Sequence, residues 1–121
     1  MHQPRRASDR VRERAERELN LLVPALLAEL PVRRIMTFGS FARGDMHEHS
    51  DLDLLLIGDF TDPPRRRERA VREIAWRLAL TIPIEVIACT PAELEAARDR
   101  PFLAHVLNEA VEVPLGSRPS P

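Results

Sequence analysis

Asp51 and Asp53 stand one residue apart, eleven and thirteen positions after Ser40 of a Gly39-Ser40 pair. The two segments read Gly39-Ser40-Phe41-Ala42-Arg43-Gly44 and Ser50-Asp51-Leu52-Asp53-Leu54-Leu55-Leu56. Strand side chains alternate, so Asp-x-Asp aims both carboxylates at one side. Carboxylates converging on one point repel each other unless a divalent cation lies between them. A Gly-Ser turn that opens a helix offers backbone N–H groups to a phosphate. Phosphate cradle plus metal-binding carboxylate pair is the minimum equipment for nucleotide transfer.

A third acid sits in Ile82-Pro83-Ile84-Glu85-Val86-Ile87-Ala88. Alternation places Glu85 with Pro83 and Ile87, and Ile84 with Val86 on the other face. A carboxylate in so apolar a run is costly to bury without a cation or other partner. If this strand lies beside the Asp51–Ile57 strand with faces matched, Glu85 joins Asp51 and Asp53. Three carboxylates could then hold two ions, typically about 3.5–4 Å apart in two-metal phosphoryl-transfer sites. Hard oxygen ligands favour Mg²⁺ or Mn²⁺ over Zn²⁺.

Plainer readings stand beside these. The aspartates could pair with a nearby Arg, Gly39-Ser40 could be a simple strand-to-helix turn, and Glu85 could be an exposed edge carboxylate. Arg43 faces either a phosphate or Asp45. His47 and His49 read as a solvated loop, with His49 near the lip of the site. The run Arg65-Arg66-Arg67, with Arg69, reads as a solvated helix face or a contact with an acidic partner. Trp76 reads as a core anchor, and Cys89 as a small buried hydrophobe.

Positioning these groups requires a scaffold of alternating elements. A helix is expected from Ser8, as cap, to Leu30, with Val11, Ala15, Leu19, Leu22, Leu26 and Leu30 as its apolar stripe. Pro24 should kink or split it. Strands are expected at Val32–Phe38, Asp51–Ile57 and Ile82–Ala88, where Pro83 points to an edge strand or to a non-donating position in the last. In the second, Leu52, Leu54 and Leu56 face one way, Asp53, Leu55 and Ile57 the other, so helices must cover both faces. Gly39–Asp45 is a tight turn into a short helical turn, and Met46–Ser50 a polar loop. Further helices are expected from Arg65 to Leu80 and, capped by Thr90 with Glu93, onward to Ala110 with a break at Pro101. Val111–Val113 is a short last strand. The fold class is α/β (α+β): a small mixed sheet of three or four strands with helices packed on it.

The chain has 121 residues, 44% apolar, and a formal net charge of −1. That suits one domain, 1–121, with loose tails at 1–7 and 114–121, and gives no basic field for direct nucleic-acid binding. All eighteen basic residues are Arg. One cysteine excludes an internal disulfide. With no signal peptide and no membrane span, a cytoplasmic location is expected.

Gly39-Ser40, ten residues, then Asp51-x-Asp53 resembles the signature of the polymerase-β-like nucleotidyltransferases. Chain length and motif flavour resemble the minimal nucleotidyltransferases. The resemblance implies that fold, Gly39 and Ser40 contacting a nucleoside triphosphate with Arg43 in the phosphate-facing turn, and Asp51, Asp53 and Glu85 as catalytic metal ligands. Glu85 departs from the family's more usual Asp. The family also implies ATP as substrate, Mg²⁺ as cofactor, and a small helical HEPN-domain toxin as partner. There the nucleotidyltransferase serves as antitoxin and transfers AMP to a toxin tyrosine. Neutralisation by binding alone, or transfer to a small molecule such as an antibiotic in a homodimer-built pocket, are the alternatives.

Overall fold

The computed structural model describes residues 7–116. Helix α1 spans Ala7–Glu29 and buries Val11, Ala15, Leu19, Leu22 and Leu26 of the expected stripe, together with Glu18 and Val23, while Leu30 falls past its end and is half-buried. Ser8 lies inside this helix and does not cap it. Pro24 does not split it either. Pro24 lacks the N–H that would reach the Asn20 carbonyl, but both residues are exposed, on the side of the helix where a freed carbonyl can turn to solvent.

After α1 come β1 (Val32–Phe38), the short α2 (Gly39–Arg43), β2 (Leu52–Gly58), α3 (Pro64–Arg77), β3 (Ile84–Cys89), α4 (Pro91–Ala97), α5 (Pro101–Glu109) and β4 (Val111–Glu112). The sheet runs β3-β2-β1-β4. β1 is antiparallel to β2 and β4, and β2 is parallel to β3. This is the mixed four-stranded α/β sheet expected, with β3 at its edge. The strand β2 begins one residue later than expected, and β3 two.

Parity sorts the core. Leu52, Leu54, Leu56, Ile84, Val86 and Ala88 join α1 and α3 residues in one cluster. Leu55 and Ile57 join Met36, Phe38, Leu103 and Val106 in another, on the α5 side. Val32 and Ile35 share the first cluster although three residues apart, because a register shift between Val32 and Arg34 inserts a residue into β1. Met46 is buried there too, so the 46–50 loop is polar only after its first residue.

Two expectations for α3 are corrected. Trp76 is 87% exposed and is no core anchor. The buried stripe is Arg67, Val71 and Ile74, and at about 100° per residue Trp76 falls on the opposite face. Arg67 does not belong to a solvated face. It is 5% exposed, stacks on Phe60 and binds Glu93 with both terminal nitrogens, at 2.6 and 3.3 Å. Its Nε also donates to the Asp62 carbonyl and its Nη1 to the Ala88 carbonyl. The hydrogen bonds from Arg67, then that from Thr90, pull the Glu93 carboxyl down to about 2. Arg72 similarly donates to the Ile84 carbonyl. Thr90 and Glu93 form the expected reciprocal cap of α4. Cys89 is half-buried, and burial raises its thiol pKa.

On the other side of the core, Glu18 accepts the N–H groups of Thr81 and Ile82 at 2.7 and 2.9 Å, tying α1 to the approach into β3. Burial raises its pKa, but the hydrogen bonds from Thr81 and Ile82 outweigh it and leave a net lowering. Most of the two expected tails lies outside the described residues; Ala7 is helical and Leu115 packs against the core. Among the described residues no helix is long and apolar enough to cross a membrane.

Candidate active site

Strand register assembles the site. Asp53 of β2 lies opposite Phe38 of β1 and beside Glu85 of β3. Asp51 and Asp53, two apart, share a side, so all three carboxylates converge. One oxygen from each of Asp51, Asp53 and Glu85 lies within 4.8 Å of the others. Asp51 and Glu85 are exposed and Asp53 is half-buried. His47 and His49, exposed in the preceding loop, lie outside this trio, their rings edge-on at 6.4 Å.

Asp53 is the strained member. Burial, then the charge and hydrogen bond of Glu85, then the charge of Asp51, push its carboxyl up to about 7. Its Oδ1 is buried with no hydrogen-bond partner among the described residues. An orphaned carboxylate oxygen beside two other carboxylates is a donor set suited to a hard divalent cation.

The Gly39 turn closes the other side. Gly39 follows β1 directly with φ +67°, a left-handed conformation that glycine adopts without steric cost. A Cβ there would lie 2.0 Å from Asp53 Oδ2. Both constraints demand glycine. Arg12 of α1 holds the turn from below, donating to the Phe41 carbonyl at 2.7 Å and stacking on the Phe41 ring. The Ser40 carbonyl accepts the N–H groups of Gly44 and Asp45, and Gly44 ends α2 at φ 82°.

Glu109 is the site residue that sequence reasoning missed. β4 pairs with β1 through Met36↔Glu112 and Thr37↔Val111, which brings the end of α5 against Gly39. Glu109 Oε1 accepts the Gly39 N–H at 2.8 Å, and Oε2 accepts Arg43 Nη1 at 3.1 Å. The Gly39 hydrogen bond, with Arg43 also contributing, lowers its pKa against the opposing effect of burial. Arg43 therefore bridges Glu109 and Asp45, whose Oδ2 accepts its Nε at 3.2 Å. No local pattern marks Glu109; only the non-local β1–β4 register does.

The chain is similar to several known proteins. A Methanocaldococcus jannaschii protein named "Putative protein adenylyltransferase MJ0604" is 54% identical over 28 residues, 23% of this chain and 28% of that protein's length. A crystal structure described as a "putative nucleotidyltransferase" from Sulfolobus solfataricus aligns over 93% of this chain and 90% of its own, with a TM-score of 0.65 at 17% identity. A toxin–antitoxin structure with AMP-PNP aligns over 85% and 73%, with a TM-score of 0.55 at 18% identity. The toxin–antitoxin MntA-HpeT, in a mutant form, aligns over 78% and 70%, with a TM-score of 0.53 at 21% identity. These structures share the fold. Residues 19–110, which include Gly39, Ser40, Arg43, Asp51, Asp53, Glu85 and Glu109, match the family model described as the nucleotidyltransferase domain, and the chain belongs to that family.

Proposed function

We propose that residues 1–121 form one nucleotidyltransferase domain that transfers AMP from ATP to a protein hydroxyl. The observation that carries this reading is the convergence of Asp51, Asp53 and Glu85 around a buried carboxylate oxygen that has no hydrogen-bond partner among the described residues. These three residues would hold Mg²⁺ or Mn²⁺. When bound, the cation would neutralise converging negative charge and favour ionisation of the acceptor hydroxyl. Gly39, Ser40 and Arg43 would receive the triphosphate. The hydroxyl oxygen bonds to the α-phosphorus, the bond to the β-phosphate's bridging oxygen breaks, and pyrophosphate leaves. The hydroxyl proton passes to a carboxylate of the trio.

For the acceptor we infer a tyrosine of a small helical HEPN-type toxin, with this chain as antitoxin in the cytoplasm. Support comes from the two toxin–antitoxin structures among the fold relatives and from the adenylyltransferase name of the M. jannaschii protein. Radiolabelled ATP and a co-expressed partner test the chemistry. Label should pass to the partner with Mg²⁺, and Asp53→Asn should abolish it; undiminished labelling by that variant sinks the assignment. A second reading, neutralisation by binding alone, is favoured by Leu21 and Trp76, large apolar side chains left 57% and 87% exposed on α1 and α3. Rescue of toxin-expressing cells by the Asp53→Asn variant would select it.

A further inference from the structure

Glu109 ends α5, where the partial negative charge of the last carbonyls disfavours a carboxylate. It is nevertheless held, with its side chain only 16% exposed, by the Gly39 N–H at 2.8 Å and the Arg43 guanidinium at 3.1 and 3.4 Å. Carboxylate and phosphate oxygens use the same kinds of donor. Gly39 is pressed on its other side by Asp53, so a triphosphate at these donors would have Glu109 and the acidic trio as close neighbours.

We propose that Glu109 is a positioning residue that fills the Gly39–Arg43 anion cradle in the nucleotide-free protein and is displaced when a triphosphate binds. The inference rests on the nucleotide reading above and deepens it: binding is an exchange of one anion for another. While Glu109 is seated, the Gly39 N–H and the Arg43 charge are satisfied. Once displaced, Glu109 has His105 one turn back as an alternative partner, with Nε2 at 3.8 Å from Oε2. The exchange lowers the apparent affinity for nucleotide and keeps other small anions out of the cradle.

The test is calorimetric titration of the full chain with inorganic tripolyphosphate, and separately with a non-hydrolysable ATP analogue, both with Mg²⁺. Glu109→Ala should bind each probe about tenfold tighter than wild type, the scale of one charge-assisted hydrogen bond. Glu109→Gln keeps the shape and an acceptor oxygen without the charge and should fall between the two. Glu29→Gln, which breaks a separate ion pair with Arg77, should match wild type. A purely structural role for Glu109 would not raise affinity. Unchanged or weaker binding by folded Glu109→Ala overturns the proposal while leaving the nucleotide reading intact. Should the alanine variant not fold, the same outcomes are read from Glu109→Gln. Wild type binding neither probe would overturn both readings.

Discussion

Replacing Asp53 by asparagine removes a charge that the metal-free fold holds at a cost, so the variant should be the more stable protein at alkaline pH. The carboxyl is pushed from 3.8 to about 7, by burial first and then by Glu85 and Asp51. At about 1.36 kcal/mol per pH unit, that distance is worth about 4 kcal/mol, and relaxation around a half-buried group reduces it to roughly 2–4. The folded protein holds this proton to higher pH than the unfolded chain does. Between about pH 4 and 7 the native state therefore binds more protons, and stability falls as pH rises. Asparagine has the shape of the protonated acid and no such dependence. Urea denaturation in EDTA should show a stability gap between variant and wild type that is small near pH 4. It should widen by up to about 1.4 kcal/mol per pH unit and level off above pH 7. Adding Mg²⁺ at pH 8 should then stabilise wild type and leave the variant unmoved. A gap independent of pH, or a variant less stable than wild type at pH 8 without metal, would refute the reasoning.

The remaining predictions concern the scaffold. Arg67→Ala should cost about 2–4 kcal/mol in urea unfolding, because the Asp62 and Ala88 carbonyls lose a buried donor and the missing side chain leaves a void beside Phe60. Arg67→Lys should not restore it, since an ammonium cannot span both Glu93 oxygens. Gly39→Ala should abolish Mg²⁺-dependent thermal stabilisation: the left-handed backbone alone costs about 1–2 kcal/mol, and the new Cβ displaces Asp53. Glu18→Gln should destabilise by about 1–3 kcal/mol at pH 7. Glu18's pKa is lowered from 4.5, so its contribution is present above that value and lost as pH falls through the folded pKa; the variant's acid unfolding should lack that segment. Trp76→Ala should shift stability by no more than about 0.5 kcal/mol, while any partner docking there should weaken measurably in pull-down.

What could be read from the sequence was what depends on local spacing. Alternation in Leu52–Ile57 separates the residues of the two core faces, though not which helix covers each, and the same parity aligns Asp53 with Glu85 when the two strands are neighbours. The Thr90–Glu93 cap and the break at Pro101 were equally local. Arg67 and Glu109 were not legible, because their partners lie 26 and 70 residues away and are brought near by strand register. Trp76 carried a conflict between size, which suggested the core, and its position two residues past Ile74, which turned it to solvent. Pro24 failed to break α1 because its missing hydrogen bond lies on the wet side of a helix held by its buried stripe.

The arginines of α3 have one more consequence. Ile84 and Ala88 are four residues apart, so their carbonyls leave β3 on the same side, the free edge away from β2. Both are taken, by Arg72 and Arg67. An incoming strand needs those acceptors open, and would meet two guanidinium groups in their place. The other edge of the sheet, β4, is only two residues long. The sheet therefore cannot readily grow at either end. A strand added at β3 would find two of the edge acceptors already occupied, so side chains on helices and turns are the more accessible means of engaging a partner or a second copy.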